Sequence, residues 1–158
     1  MDLTGPWKLK VGKVSLEFNA LTCIYPVTNL KEVIRIKNKT IKHISEQFQN
    51  YWLSRYPRPV YCIHDRGGEF IGEPFQTMLT EFEVKSKPTT AKNPTANEIC
   101  EPMHHTVGDI LRAIKANITN KDKAYQAVDN ALYTYVHACT QMCSESYNAD
   151  ISWSISLL

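Results

Sequence analysis

Val60-Tyr61-Cys62-Ile63-His64-Asp65-Arg66-Gly67-Gly68-Glu69-Phe70 (60–70) is the stretch that decides the fold. Its apolar opening, Val60 to Ile63, reads as a buried strand. Asp65 follows at the carboxyl end of that strand, and Gly67-Gly68 turn the chain. In open α/β sheets, ligands gather at the carboxyl edge. Thirty-five residues separate Asp65 from Glu101, which closes the run Asn93-Pro94-Thr95-Ala96-Asn97-Glu98-Ile99-Cys100. Asn93-Pro94 is a loop-to-helix signal, placing Glu101 near the start of a helix. A third acid, Asp2, opens the chain in Met1-Asp2-Leu3-Thr4-Gly5-Pro6-Trp7. Three carboxylates on separate elements are what a two-metal phosphoryl-transfer site needs. Spacing alone carries nothing in a chain with 16 acidic residues; the flanking residues carry the argument. Each acid also has a plainer reading: Asp65 as the cap of a glycine turn, Glu101 as a solvated helix carboxylate, Asp2 as a terminal acid.

Outward from this stretch, the pattern predicts an α/β domain. Asp2 to Leu9 is a strand bent at Thr4-Gly5-Pro6. Val14 to Ile24 and Leu30 to Ile36 are strands joined by a turn at Pro26–Asn29, giving an antiparallel meander. Thr40 caps a helix whose apolar face is Ile41, Ile44, Phe48, Tyr51 and Trp52, and Pro57 and Pro59 stop it. After the strand at 60–64, Phe75, Met78, Leu79 and Phe82 mark a short helix begun near Pro74, and Val84 to Ser86 a brief strand. Thr89 to Asn93 is a polar loop. Met103, Val107, Ile110, Leu111 and Ile114 stripe the helix after Glu101; Ala124, Val128, Ala131, Leu132, Tyr135 and Cys139 stripe a last one.

Composition is that of one globular domain of 158 residues with net charge +2, too small to argue a nucleic-acid partner by itself. Lysine and arginine are uneven: Lys31, Arg35, Lys37, Lys39 and Lys42 cluster, and Lys8, Lys10 and Lys13 lie near the start. Solvated face and phosphate contact are both open readings of these groups. No secretory signal is expected, and no apolar run is long enough for a bilayer. Five cysteines without a Cys-x-x-Cys pair argue against a disulfide framework or zinc site.

The chain resembles the catalytic core of retroviral and retrotransposon integrases, most closely the gypsy-type retrotransposon kind. Asp2-Leu3-Thr4-Gly5-Pro6-Trp7, Asp65-Arg66-Gly67-Gly68-Glu69-Phe70 and Asn93-Pro94-Thr95-Ala96-Asn97 followed by Glu101 look like the three family signatures in order. Met103-His104 and Gly108-Asp109-Ile110-Leu111-Arg112 look like the family's helix. The resemblance implies a ribonuclease H-like fold, a mixed five-stranded sheet flanked by helices with its first strand truncated. It implies Asp2, Asp65 and Glu101 as ligands of two Mg²⁺ (or Mn²⁺) ions, and end-trimming and strand transfer of element DNA into target DNA. It further implies DNA as partner, a homodimer built through the late helices, no membrane, and work inside the cell, in the nucleus. The core-like domain is expected over residues 1–148, with a divergent tail at 149–158.

Several positions depart from the family's pattern. Only Met1 stands before Asp2, where the family has several apolar residues. Pro102 follows Glu101, so the helix either kinks there or restarts with proline in its first turn. His105 stands where the family usually carries a basic residue, and Glu98 replaces a small one. Glu69 fits the family's acid or amide before phenylalanine, a structural role. The zinc-binding and carboxyl-terminal DNA-binding domains of the family have no counterpart in these residues. A second reading is therefore a catalytically inactive nucleic-acid- or protein-binding module on the same fold.

Overall fold

The structure, a computed structural model, describes residues 1–11, 13–28, 30–89, 101–113 and 120–155. For residues 9, 11, 101–104, 111 and 139–155 the description is of the backbone alone. Five strands are present among the described residues: β1 (Asp2–Val11), β2 (Val14–Tyr25), β3 (Leu30–Ile36), β4 (Tyr61–His64) and β5 (Lys85–Pro88). The helices are α1 (Ile41–Phe48), α2 (Gly68–Ile71), α3 (Glu73–Glu81), α4 (Glu101–Ala113) and α5 (Lys121–Ile155).

β1, β2 and β3 form the expected antiparallel meander, and β4 and β5 a parallel pair. The Met1 amine donates to the Ile63 carbonyl oxygen at 2.8 Å, so the start of β1 lies beside β4. The mixed α/β arrangement is thus the one expected, with its hydrogen-bond ladder in two parts. β1 opens opposite Thr22, whereas β2 continues alongside β3 to Tyr25. A groove of about 450 Å³ lies between this end of β2 and β4, lined by Ile24, Tyr25, Trp52, Val60 and Ile63 among others.

The predicted bend in β1 is real. The register with β2 slips between Thr4 and Trp7, and Gly5 adopts φ 117°. A Cβ there would meet the Phe18 carbonyl oxygen at 3.0 Å, so both backbone angle and space call for glycine.

Alternation on β2 and β3 builds two cores. Leu21, Cys23, Ile34 and Ile36 face α1 and α3, packing with Ile44, Phe48, Trp52, Phe70, Phe75 and Leu79. Leu16, Phe18, Ala20 and Val33 face the other way, onto Val107 of α4 and Ala124, Val128, Leu132 and Val136 of α5. The α5 stripe keeps a strict spacing of four. It therefore takes Val136, which the sequence reading missed, while Tyr135 is half-buried and Cys139 lies outside the described side chains.

α1 is capped by Thr40 as predicted, its Oγ1 accepting from the His43 N–H at 3.4 Å. The helix then widens into a π turn over Gln49–Leu53, closed by Ser54 N–H on the Gln49 carbonyl at 2.9 Å. The wider turn shifts the apolar face. Leu53 is buried, and Tyr51, predicted inward, is exposed.

After the π turn, the Tyr56 hydroxyl donates to buried Glu32 at 2.6 Å, with Arg55 at 3.4 Å. Burial, and then the bond to Glu32, push the Tyr56 hydroxyl up to about 12. A phenol whose folded value lies above its usual 10 stabilises the fold fully below pH 10, and that stabilisation disappears as pH rises toward 12. Tyr56→Phe is expected to cost about 1–2 kcal/mol at pH 8 and progressively less by pH 11, as read from paired denaturant melts.

α3 ends in a reciprocal cap: Val84 N–H bonds the Leu79 carbonyl at 2.8 Å and Glu83 N–H the Thr80 carbonyl at 3.0 Å. Glu83 takes the left-handed position at φ 57°, where glycine is the usual residue. Glu83→Gly is expected to raise stability by about 0.5–1 kcal/mol in the same melts.

Candidate functional site

Asp65 is the first residue past β4. Its Oδ1 accepts the Gly67 N–H at 2.9 Å, so the turn-capping reading of this aspartate holds. The carboxylate is half-buried and stands in no ion pair among the described residues. Gly67 lies against two acids: a Cβ on it would sit 2.9 Å from the Glu69 Oε2 and 3.0 Å from the Asp65 Oδ1. Glu69, at the start of α2, thereby flanks Asp65.

Asp2 is the first residue of β1. Its Oδ1 accepts from the Leu3 N–H at 2.8 Å, and its carbonyl accepts from the Thr22 hydroxyl at 3.0 Å. Because Met1 bonds Ile63, Asp2 at the start of β1 and Asp65 past the end of β4 lie one and two residues beyond a shared hydrogen bond. Glu101 is the first described residue of α4, a helix that packs through Val107 against the β1–β2 side of the sheet. Its side chain lies outside the described residues, as do Asn93, Pro94, Asn97 and Glu98. The backbone at Pro102 is helical, and the residues that decide between its two geometries, those before Glu101, lie outside the described ones. His105 is exposed on α4.

The strand carrying Asp65 is not buried on both faces as its apolar run suggests. Cys62 and His64 point into the core, while Val60, Tyr61 and Ile63 are 65%, 53% and 41% exposed. Lys85 and Lys87 of β5 lie over the Tyr61 ring at 5.9 and 5.5 Å. Inside, His64 Nδ1 meets the Asp65 carbonyl oxygen at 2.6 Å and Nε2 meets the Ser86 hydroxyl at 2.9 Å. Desolvation by burial lowers the His64 pKa and keeps the ring neutral. Burial also pushes the Cys62 thiol up to about 11. The sequence reading placed His64 near the site without a role and passed over Ser86. The parallel register, with Cys62 opposite Ser86, is what brings the two together.

The basic cluster is divided. Arg35 is taken by Asp129 of α5 in a two-pronged pair (2.5 and 2.6 Å) and stacks on Tyr125 at 4.5 Å. It serves the fold, whereas Lys37, Lys39 and Lys42 remain exposed.

Hard carboxylate oxygens at Asp2 and Asp65 fit a divalent magnesium-type ion by donor chemistry. Among the described residues, no group of three His, Cys, Asp or Glu side chains is drawn together to hold a metal. No described helix is long and apolar enough to cross a membrane.

Comparison with protein-family models gives no match, and neither does comparison with curated proteins. Solved structures do match. The catalytic core domain of BIV integrase superposes with a TM-score of 0.61 at 14% identity, over 83% of this chain and 78% of that one. The HTLV-2 integrase catalytic core domain in complex with magnesium, in its dimeric form, gives 0.58 at 18% identity, over 84% and 83%. The simian T-cell lymphotropic virus intasome in complex with the PP2A regulatory subunit B56 gamma gives 0.63 at 15% identity. That match covers 84% of this chain and 47% of the other. The fold is therefore that of a retroviral integrase catalytic core, ribonuclease H-like.

Asp65→Asn keeps an oxygen for the Gly67 N–H and is expected to melt within about 1 kcal/mol of the native chain. Asp65→Ala, which strands that N–H, is expected to cost about 1–2 kcal/mol more, read by the same thermal scan.

Proposed function

We propose that the chain is an integrase catalytic-core domain of the gypsy-type retrotransposon kind, acting on DNA by metal-dependent phosphoryl transfer. One observation supports the reading: on an integrase-core fold, Asp2 and Asp65 follow the hydrogen-bonded pair Met1 and Ile63 by one and two residues. The third signature acid, Glu101, belongs to α4, which packs through Val107 on the β1–β2 side of the sheet. Asp2, Asp65 and Glu101 are the residues that would hold Mg²⁺ or Mn²⁺, two ions to the site. Such ions, when bound, supply Lewis-acid stabilisation of a phosphodiester and lower the pKa of an attacking water or hydroxyl. The chain's own part is orientation. The Gly67 N–H holds one oxygen of Asp65, and the β1–β2 ladder fixes the main chain at Asp2. Lys85 and Lys87, beside Asp65's strand, and exposed Lys37, Lys39 and Lys42 are available for phosphate contact.

In this reading the partners are element ends and target DNA, the core-like domain is residues 1–148 with a divergent tail at 149–158, and the place of action is the nucleus. The magnesium complex and dimeric form of the HTLV-2 core support divalent metal use and a homodimer for this chain as well.

The second reading is a binding module without chemistry on the same fold, in which Asp65 serves as the cap of the Gly67 turn. The two readings separate in one experiment. Joining and disintegration of model DNA ends are measured with Mg²⁺ and with Mn²⁺, for the native chain and Asp65→Asn. The enzyme reading expects metal-dependent products that fall by about a hundredfold or more in Asp65→Asn. No products, with no metal-dependent rise in melting temperature, would establish the binding module instead.

A further inference from the structure

His64 is 1% exposed and among the largest side chains fully enclosed by this fold. Its ring sits against Phe70 (centroids 5.5 Å apart) and Phe75 (6.0 Å). A carbonyl oxygen can only accept, so the contact between Nδ1 and the Asp65 carbonyl places the ring proton on Nδ1. In the neutral ring Nε2 is then an acceptor, and the Ser86 hydroxyl donates to it. The His64 carbonyl in turn accepts the Thr89 N–H at 2.7 Å. Residue 64 is thus held by Ser86 of β5, by Thr89 just past it, and by the rings of the core. The consequence falls on Asp65: its peptide carbonyl is drawn inward to the imidazole, and its carboxylate turns to the Gly67 N–H.

We propose that His64, held by Ser86, is the positioning residue of the candidate site: it fixes the Asp65 main chain and so aims the Asp65 carboxylate. The purpose of that aim rests on the metal-binding reading above; the aiming itself does not. A core histidine that merely fills space needs neither the Nδ1 proton nor the Ser86 hydroxyl. The clamp needs both, and this difference makes it testable.

The first measurement uses the unmodified full chain. Nitrogen-15 spectra of the His64 ring at neutral pH are expected to show the proton on Nδ1; a proton on Nε2 overturns the proposal. The second compares full-length His64→Leu, His64→Asn and Ser86→Ala. Leucine keeps apolar bulk without donors, whereas the asparagine amide can donate from near the Nδ1 position. Exchange of the Gly67 amide is expected to quicken about tenfold in His64→Leu and to return to within about threefold of native in His64→Asn. Mn²⁺ affinity, read by calorimetry, is expected to weaken about tenfold in His64→Leu and recover likewise, the size usual for groups behind a metal ligand. Ser86→Ala, away from the core, is expected to loosen the same amide by about threefold. Native-like exchange in His64→Leu and Ser86→Ala, or equal loss in the leucine and asparagine variants, would overturn the clamp. Mn²⁺ binding that ignores Asp65→Asn would remove the metal reading alone, leaving the ring spectrum and Gly67 exchange to decide the clamp.

Discussion

Everything in this fold depends on β2 being covered on both faces. Its side chains alternate between two apolar cores, with Leu21 and Cys23 on one side and Leu16, Phe18 and Ala20 on the other. A strand enclosed in this way cannot slip by one residue, because each side chain would move to the opposite core. That rigidity fixes β1, which pairs with β2 from Asp2 onward, and β1 in turn meets β4 through Met1. The placement of the first two candidate ligands is therefore inherited from burial elsewhere in the sheet. Asp2 needs no strong interaction of its own to stay where it is.

The second element, the β4–β5 pair, has a different economy. It is four residues long on each side and buries one face, through Cys62 and His64. A short, one-sided strand has little packing to define its carboxyl end. Here polar contacts do that work, from Thr89, Ser86 and Gly67. Neutral partners suit the task, since a charged group at a core position this enclosed would have to be desolvated. The lowered His64 pKa is the same statement made by the ring itself.

Much of this was legible in the sequence, and the failures have identifiable causes. The meander, the Thr40 cap, the bend at Gly5-Pro6 and the stripe on α5 follow from turn residues and periodicity, which are local properties. The exposure of Tyr61 and Ile63 was not legible, because an apolar run reads the same whether one face is covered or two. Beyond Phe48 the predicted helical face holds at Trp52 and fails at Tyr51, since the wider π turn rotates Leu53 in and Tyr51 out. Arg35 read as one of a basic cluster because its partner, Asp129, is far away in sequence and meets it only through α5 packing on β3. Of the candidate site, the motifs point to the three acids only through the resemblance they carry. The Ser86–His64 contact needs the parallel register of two short strands, which no local pattern contains.

Pro102 shows how a local rule depends on where an element begins. In a helix interior its missing N–H and its ring would cost about 3 kcal/mol. In a first turn the same residue would forfeit no intrahelical bond, and its fixed φ would suit the geometry. The two cases differ in consequence: an interior proline kinks the axis beside Glu101, whereas a first-turn proline leaves it straight. Replacing Pro102 by alanine would therefore raise stability by about 3 kcal/mol in the first case and change it little in the second.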